Sequence, residues 1–262
     1  MRYSSVKPPT TNIRPERIVN HKPRYQIVDA ARGLALLLMV VYHFFYDLEH
    51  VGFAQFAFSR DPFWIGFRSI IVTMFLAIVG VSLYLAQIGG RRWPSYWRRL
   101  LVLLTCAALV SLVSWWLFAE RFIYFGILHF IAVASVLGLA FVPLGTLNLV
   151  VGAALIVVGV LYAHPTFDQR GLQWVGLMTH RPATEDYVPL LPWFGVVLVG
   201  LGCGKTLARS PRLAGIATWQ TANPLGTTLA WSGRHSLAIY MLHQPLLLGL
   251  LYGLRALGAR LA

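Results

Sequence analysis

The sequence predicts an all-α fold: a polytopic membrane helix bundle of about seven transmembrane helices with its N-terminus in the cytoplasm. Three observations predict it. The 262 residues are 57% hydrophobic and only 12% charged, whereas soluble domains carry about a quarter charged residues. The apolar residues gather into runs close to the ~20 that a bilayer core requires. The Lys and Arg residues are divided unevenly between the connections.

Residues 1–26 are polar and basic, with Pro8, Pro9, Pro15 and Pro23. They lack the apolar core of a signal peptide and read as a disordered cytoplasmic tail. Spans follow at about 28–48, 63–87, 98–118, 122–142, 146–163, 187–204 and 235–254. The fifth is short but uncharged, and the seventh, carrying His235 and His243 behind Arg234, is the most polar. The long connections, 164–186 and 205–234, hold no core of their own, so residues 27–256 form one transmembrane domain.

With the N-terminus inside, the inner segments hold fifteen of the 22 Lys and Arg residues. Seven lie in the tail through Arg32, and Arg91, Arg92, Arg98, Arg99, Lys205, Arg209, Arg212 and Arg234 follow. Seven of the nine acids fall outside. Arg255 and Arg260 argue mildly the other way. The net charge of +13 would suggest nucleic acid in a soluble chain. Here no basic stripe is interleaved with aromatics, and the charge reads as orientation and contact with anionic lipid. Cys106 and Cys203 lie in apolar runs and read as packing residues, without a disulfide or a metal.

This topology gathers polar groups at two levels. His43 and Asp47 sit four apart at the outer end of span one, on one helix face. They read as a general base with its orienter, or as a helix-end histidine bonded to a neighbouring helix. Arg68 lies near the outer end of span two. His129, one turn after Gly126, lines a site or packs through a hydrogen bond. Asp186, Tyr187 and Trp193 open span six with Pro189 and Pro192, which forecast an irregular helix start. Tyr187 and Trp193 equally suit an interfacial aromatic belt, and Asp186 a helix N-terminal charge. His243 and Gln244, ahead of Pro245, line a polar path or bond between helices. At the inner face, Arg32, Arg98, Arg99, Arg234 and His235 offer a seat for phosphates, or plain charge anchoring.

Several of these strings occur together. Arg32-Gly33 followed by apolar residues and His43 resembles the first helix of the acyltransferase-3 membrane enzymes. A wider set, in order, resembles the bacterial relatives of heparan-alpha-glucosaminide N-acetyltransferase. It comprises Asp29-Ala-Ala-Arg-Gly33, Phe75-Leu-Ala-Ile-Val-Gly80, Phe125-Gly-Ile-Leu-His129, Asp186-Tyr-Val-Pro-Leu-Leu-Pro-Trp193 and Gly233-Arg-His-Ser-Leu-Ala-Ile-Tyr-Met-Leu-His-Gln-Pro245. The resemblance covers about residues 24–254.

It implies an enzyme of the bacterial inner membrane that moves an acyl group, normally acetyl, from cytoplasmic acetyl-CoA or another acyl-CoA to an amino or hydroxyl group of a cell-envelope sugar. Membrane lipid and that carbohydrate are then its partners, with no nucleic acid and with homo-oligomerisation left open. His43, Asp47, His50 and His129 are the catalytic candidates, and the resemblance leaves the base open between His43 and His50. Arg32, Arg98, Arg99, Arg234 and His235 would meet the CoA. Arg68, Asp186, Tyr187, Trp193 and His243 would meet the acceptor. The competing class is a transporter whose intramembrane His and Asp residues relay protons or bind substrate.

Overall fold

The structure is a computed structural model that describes residues 25–58, 60–90 and 92–261. The tail expected to be disordered over 1–26 lies outside the described residues apart from its last two. The helices are α1 (Gln26–Val51), α2 (Pro62–Ile88), α3 (Trp93–Phe118), α4 (Ile127–Phe141), α5 (Asn148–Leu161), α6 (Leu190–Arg209), the single turn α7 (Ala214–Ala217), α8 (Pro224–Arg234) and α9 (Ser236–Leu261). No strand occurs among the described residues. A lone parallel bridge joins Phe125 and Tyr187.

Helix limits follow local chemistry. Asp61 caps α2 by accepting the Phe63 N–H at 2.8 Å, with Pro62 at the first helical position, where its missing N–H costs nothing. Gly52, at φ 88°, closes α1 in the left-handed conformation that glycine adopts without a Cβ penalty. α6 begins irregularly, as its prolines forecast: Pro189 precedes it and Leu191 has extended dihedrals.

Six segments are long and apolar enough to cross a membrane. One of them, Ile127–Leu161, contains two helices. The chain breaks at Gly145 (φ 58°, ψ −119°), and Asn148 Nδ2 donates to the Phe141 and Gly145 carbonyls at 2.8 and 2.9 Å. Packing shows the reversal. Along α4, Gly126 lies against Asp186, Gly138 against Leu83 and Gly145 against Lys205; on the way back, Gly152 lies against Gly195 and Gly159 against Pro192. α4 and α5 therefore form a hairpin, and the seven expected spans correspond to α1–α6 and α9.

The bundle is held by close crossings. Gly80 of α2 meets the Val197 carbonyl of α6, and Gly200 of α6 meets the Ala77 carbonyl of α2. Gly33 of α1 meets the Leu229 carbonyl of α8, while Gly233 meets the Asp29 carbonyl. A Cβ at any of these four would collide with backbone, so glycine is what lets the helices touch. The central core comprises Leu76, Phe130, Ala134, Val188, Phe194, Val197 and Leu198. A second cluster of Leu36, Met39, Tyr42, Phe58, Trp64 and Ile71 backs α1. Two polar regions remain. One lies on the near face, where α1 begins and α2, α4 and α6 end. The other lies in the half toward the far face, where α1 ends.

Candidate active site

On the near face a cavity of about 770 Å³ opens between α1, α2, α3 and α4, lined among others by Tyr25, Asp29, Arg32, Ser82, Arg92, Tyr96, Arg99 and Ser135. That volume is within the range of small-molecule sites. Arg32 is fixed at its wall. It pairs with Asp29 at 3.0 Å, donates to Ser82 Oγ at 2.8 Å and reaches the Gly233 carbonyl at 3.4 Å. Asp29 balances that charge, so Arg92 and Arg99 supply the excess positive charge of the lining. Arg98, Arg234 and His235 are exposed and stand outside the lining. His235 instead stacks on Trp231, with ring centroids 4.5 Å apart, and bonds its carbonyl at 2.9 Å. Ser82 and Arg92 are additions that the sequence did not single out for this site. The signal for Ser82 was a hydroxyl two residues after the helix-packing Gly80.

Eleven residues further along α1, about 16 Å by helical rise, His43 meets α9. Its ring lies 4.9 Å from that of His243. The expected bond between His43 and Asp47 is not made. Asp47 Oδ1 accepts from Gln244 Nε2 at 2.7 Å, and Asp47 is 1% exposed. The Nδ1 of His243 faces the Tyr240 carbonyl. A carbonyl only accepts, so Nδ1 carries the proton and Nε2 keeps a lone pair. His43 Nδ1, Asp47 Oδ2, His243 Nε2 and Gln244 Oε1 are all buried without a hydrogen-bond partner. Four unmatched polar atoms at one helix contact cost free energy. His50 is exposed in the last turn of α1.

His129 stands apart from this pair. Its Nδ1 accepts the Gly126 N–H at 3.3 Å, and its Nε2 lies 3.1 Å from Ser111 Oγ. Ser111 gives its own proton to the Ile123 carbonyl at 2.6 Å, so His129 Nε2 is the donor. Both ring nitrogens are thereby committed to shaping the start of α4.

The connections at 119–126 and 182–189 form the far-face rim. Glu185 pairs with Arg121 at 3.1 Å and accepts from Tyr46 at 3.2 Å. Asp186 Oδ2 receives the Ile127 N–H at 2.8 Å. It therefore caps α4, not the sixth span as its sequence position suggested. Its carboxylate occupies the space that a side chain on Gly126 would need. Burial pushes the Asp186 carboxyl above its usual range, against the Ile127 N–H and the charges of Arg68 and Arg181. Burial likewise raises Tyr187, whose hydroxyl donates to the Gln173 carbonyl at 2.7 Å. Trp193 packs on the central core. Tyr46 of α1 and Glu185 join the rim without having been singled out in the sequence, where nothing but long-range folding brings Glu185 to α1.

A sequence profile described as heparan-alpha-glucosaminide N-acetyltransferase, catalytic, matches residues 24–245. No curated protein and no solved structure shows a significant match to the chain.

Proposed function

The chain belongs to the heparan-alpha-glucosaminide N-acetyltransferase catalytic family, and from that membership we propose that it transfers an acyl group, normally acetyl, from cytoplasmic acyl-CoA to an amino or hydroxyl group of a cell-envelope sugar. The supporting observation is the arrangement along α1. An arginine-lined cavity lies at its start, and two histidines with buried, unpartnered nitrogens meet eleven residues further on.

Arg32, Arg92 and Arg99 suit the phosphates of the donor, since guanidinium forks match phosphate oxygens. The pantetheine arm then runs along α1 past Leu36 and Met39, which are buried, and so has to displace packed side chains. The acceptor's amine or hydroxyl gives a proton to His43 or, through the adjacent ring, to His243 Nε2. Its nitrogen or oxygen attacks the thioester carbonyl. The tetrahedral oxyanion collapses, the C–S bond breaks, and the CoA thiolate leaves and takes up the proton. Asp47, held by Gln244, orients the helix contact rather than the His43 ring.

The unpartnered atoms between α1 and α9 also suit a proton relay in a carrier, and one experiment separates the readings. Purified protein in lipid is given labelled acetyl-CoA with an amino sugar, and CoA release is followed. His43→Ala is expected to lose at least about 100-fold in rate while still binding acetyl-CoA, and His50→Ala to retain activity. Loss confined to His50→Ala would move the chemistry to the exposed end of α1. A wild-type protein that neither binds nor turns over acyl-CoA would favour the carrier.

A further inference from the structure

Acyl transfer needs a donor for the thioester oxygen as well as a base. His129 and Tyr187 are spent elsewhere, because both nitrogens of the one and the hydroxyl of the other are held by protein groups. Tyr240 is placed differently. It lies on α9 one turn before His243, and the two rings are 5.5 Å apart. The chain enters α9 just after Gly233, which lies against Asp29 at the near face, and meets His43 at His243. Tyr240 therefore stands between the level of the arginine-lined cavity and that of the histidine pair, ~4.5 Å short of His243 by helical rise. It packs against two clusters at once. One contains Leu36 and Met39 of α1, which the donor's arm has to pass. The other contains Leu103, Ala107 and Leu128, and Leu103 also lines the cavity. Among the described residues the Tyr240 hydroxyl has no hydrogen-bond partner, whereas its carbonyl faces His243 Nδ1. A tyrosine set into a helix bundle normally finds a partner for its hydroxyl.

We propose that Tyr240 is a catalytic residue of the acyl transfer, its hydroxyl donating a hydrogen bond to the thioester carbonyl oxygen and holding the oxyanion that forms there. The proposal rests on the acyl-transfer reading. As the acceptor's nitrogen or oxygen bonds to the carbonyl carbon, the π electron pair moves onto the oxygen, where the Tyr240 O–H meets it. The pair returns as the C–S bond breaks. The hydroxyl keeps its proton throughout, and the acceptor's proton passes to the histidines and then to the CoA thiolate. A neutral phenol suits this position: a donor aimed at developing charge is worth more in a water-poor site than in water, and it brings no charge of its own into the bundle.

The protein is placed in phosphatidylcholine nanodiscs, and wild type is compared with Tyr240→Phe and Tyr42→Phe. CoA release in the presence of an amino sugar, acetyl-CoA binding, and the infrared carbonyl band of bound acetyl-CoA isotope-labelled at its carbonyl carbon are measured. Tyr240→Phe keeps the ring and loses the hydroxyl alone, so its melting temperature and its affinity for acetyl-CoA should match wild type. Its kcat should fall by about 100-fold or more with KM little changed. The carbonyl band, lowered in wild type by the hydrogen bond, should move back up. Tyr42, whose ring is set among Phe58, Trp64 and Phe67, should tolerate Phe without loss of rate. A Tyr240→Phe protein with wild-type kcat would overturn the proposal while leaving acyl transfer standing, as would a loss confined to Tyr42→Phe. A slower Tyr240→Phe protein whose carbonyl band matches wild type would reduce Tyr240 to a packing role and overturn it too. A wild type that binds no acetyl-CoA and releases no CoA would sink the acyl-transfer reading, and this proposal with it.

Discussion

Asp47 illustrates how a single side chain changes meaning once its neighbours are known. Its spacing from His43 was legible in the sequence, and the shared helix face suggested a direct bond. The carboxylate turned instead to Gln244, 197 positions away, a partner that helical spacing cannot reveal. Gln244→Leu should therefore leave a buried carboxylate with no donor and cost about 1–3 kcal/mol. The double change Asp47→Leu with Gln244→Leu should recover much of that loss, because it removes both polar groups together. Thermal unfolding in detergent checks this, and a double variant less stable than the single one would exclude the pairing as the cause. His129 teaches the converse. A histidine beside glycine in an apolar run looked like a lining residue, yet its two nitrogens stabilise the start of its own helix. Composition identifies an expensive group; only the fold shows which neighbour offsets the expense.

Helices were the most legible level. Length and apolarity located seven of them, and the prolines at 189 and 192 announced the irregular start of α6. α8 was missed because it lacks a long apolar run. Its start is written in small signals instead, Asn223 capping Leu225 N at 2.9 Å and Pro224 in the first turn. The glycines were visible too, but not their partners. Gly80→Leu or Gly200→Leu would drive a side chain into the opposing backbone. Each should cost about 1–3 kcal/mol or more, seen as lost monodisperse protein after a heat step. Gly253→Leu, with nothing within 4 Å of its added Cβ, serves as the control and should stay within about 0.5 kcal/mol. The connection 164–186 carries a different device. Asp168 accepts the Thr179 hydroxyl at 2.7 Å and the Thr179 N–H at 2.9 Å, and these bonds hold its pKa below the usual 3.8. A lowered folded-state pKa means that the contribution is fully present above 3.8 and fades as the pH falls through the folded value. The protection of the Thr179 amide, measured as exchange relative to the intrinsic rate at each pH, should therefore fall only in that acid range, and Asp168→Asn should flatten the response. Protection that is already lost at neutral pH would rule out this clamp.

At the scale of the molecule, the two polar regions are useful together only in one orientation. Under the proposed function, the arginine-lined cavity has to face inward to receive cytoplasmic acyl-CoA, and the far-face rim has to face the envelope. The packing fixes the relative placement: α6 ends on the near face, so the connection after it shares a side with Arg32, whereas α5 carries the chain to the far face before the 164–186 connection. The uneven distribution of Lys and Arg predicts that the near face is the cytoplasmic one. Gly171 in the far-face connection and Gly215 in α7 have nothing within 4 Å of an added Cβ, so each tolerates a cysteine. In a background lacking Cys106 and Cys203, an impermeant maleimide applied to intact cells should label Gly171→Cys and leave Gly215→Cys untouched until the membrane is opened. The opposite pattern would place the arginine cavity outside, beyond the reach of a cytoplasmic donor. In that case the proposed direction of transfer fails even if His43 proves essential, because the base and the donor site would be intact but on the wrong sides of the membrane.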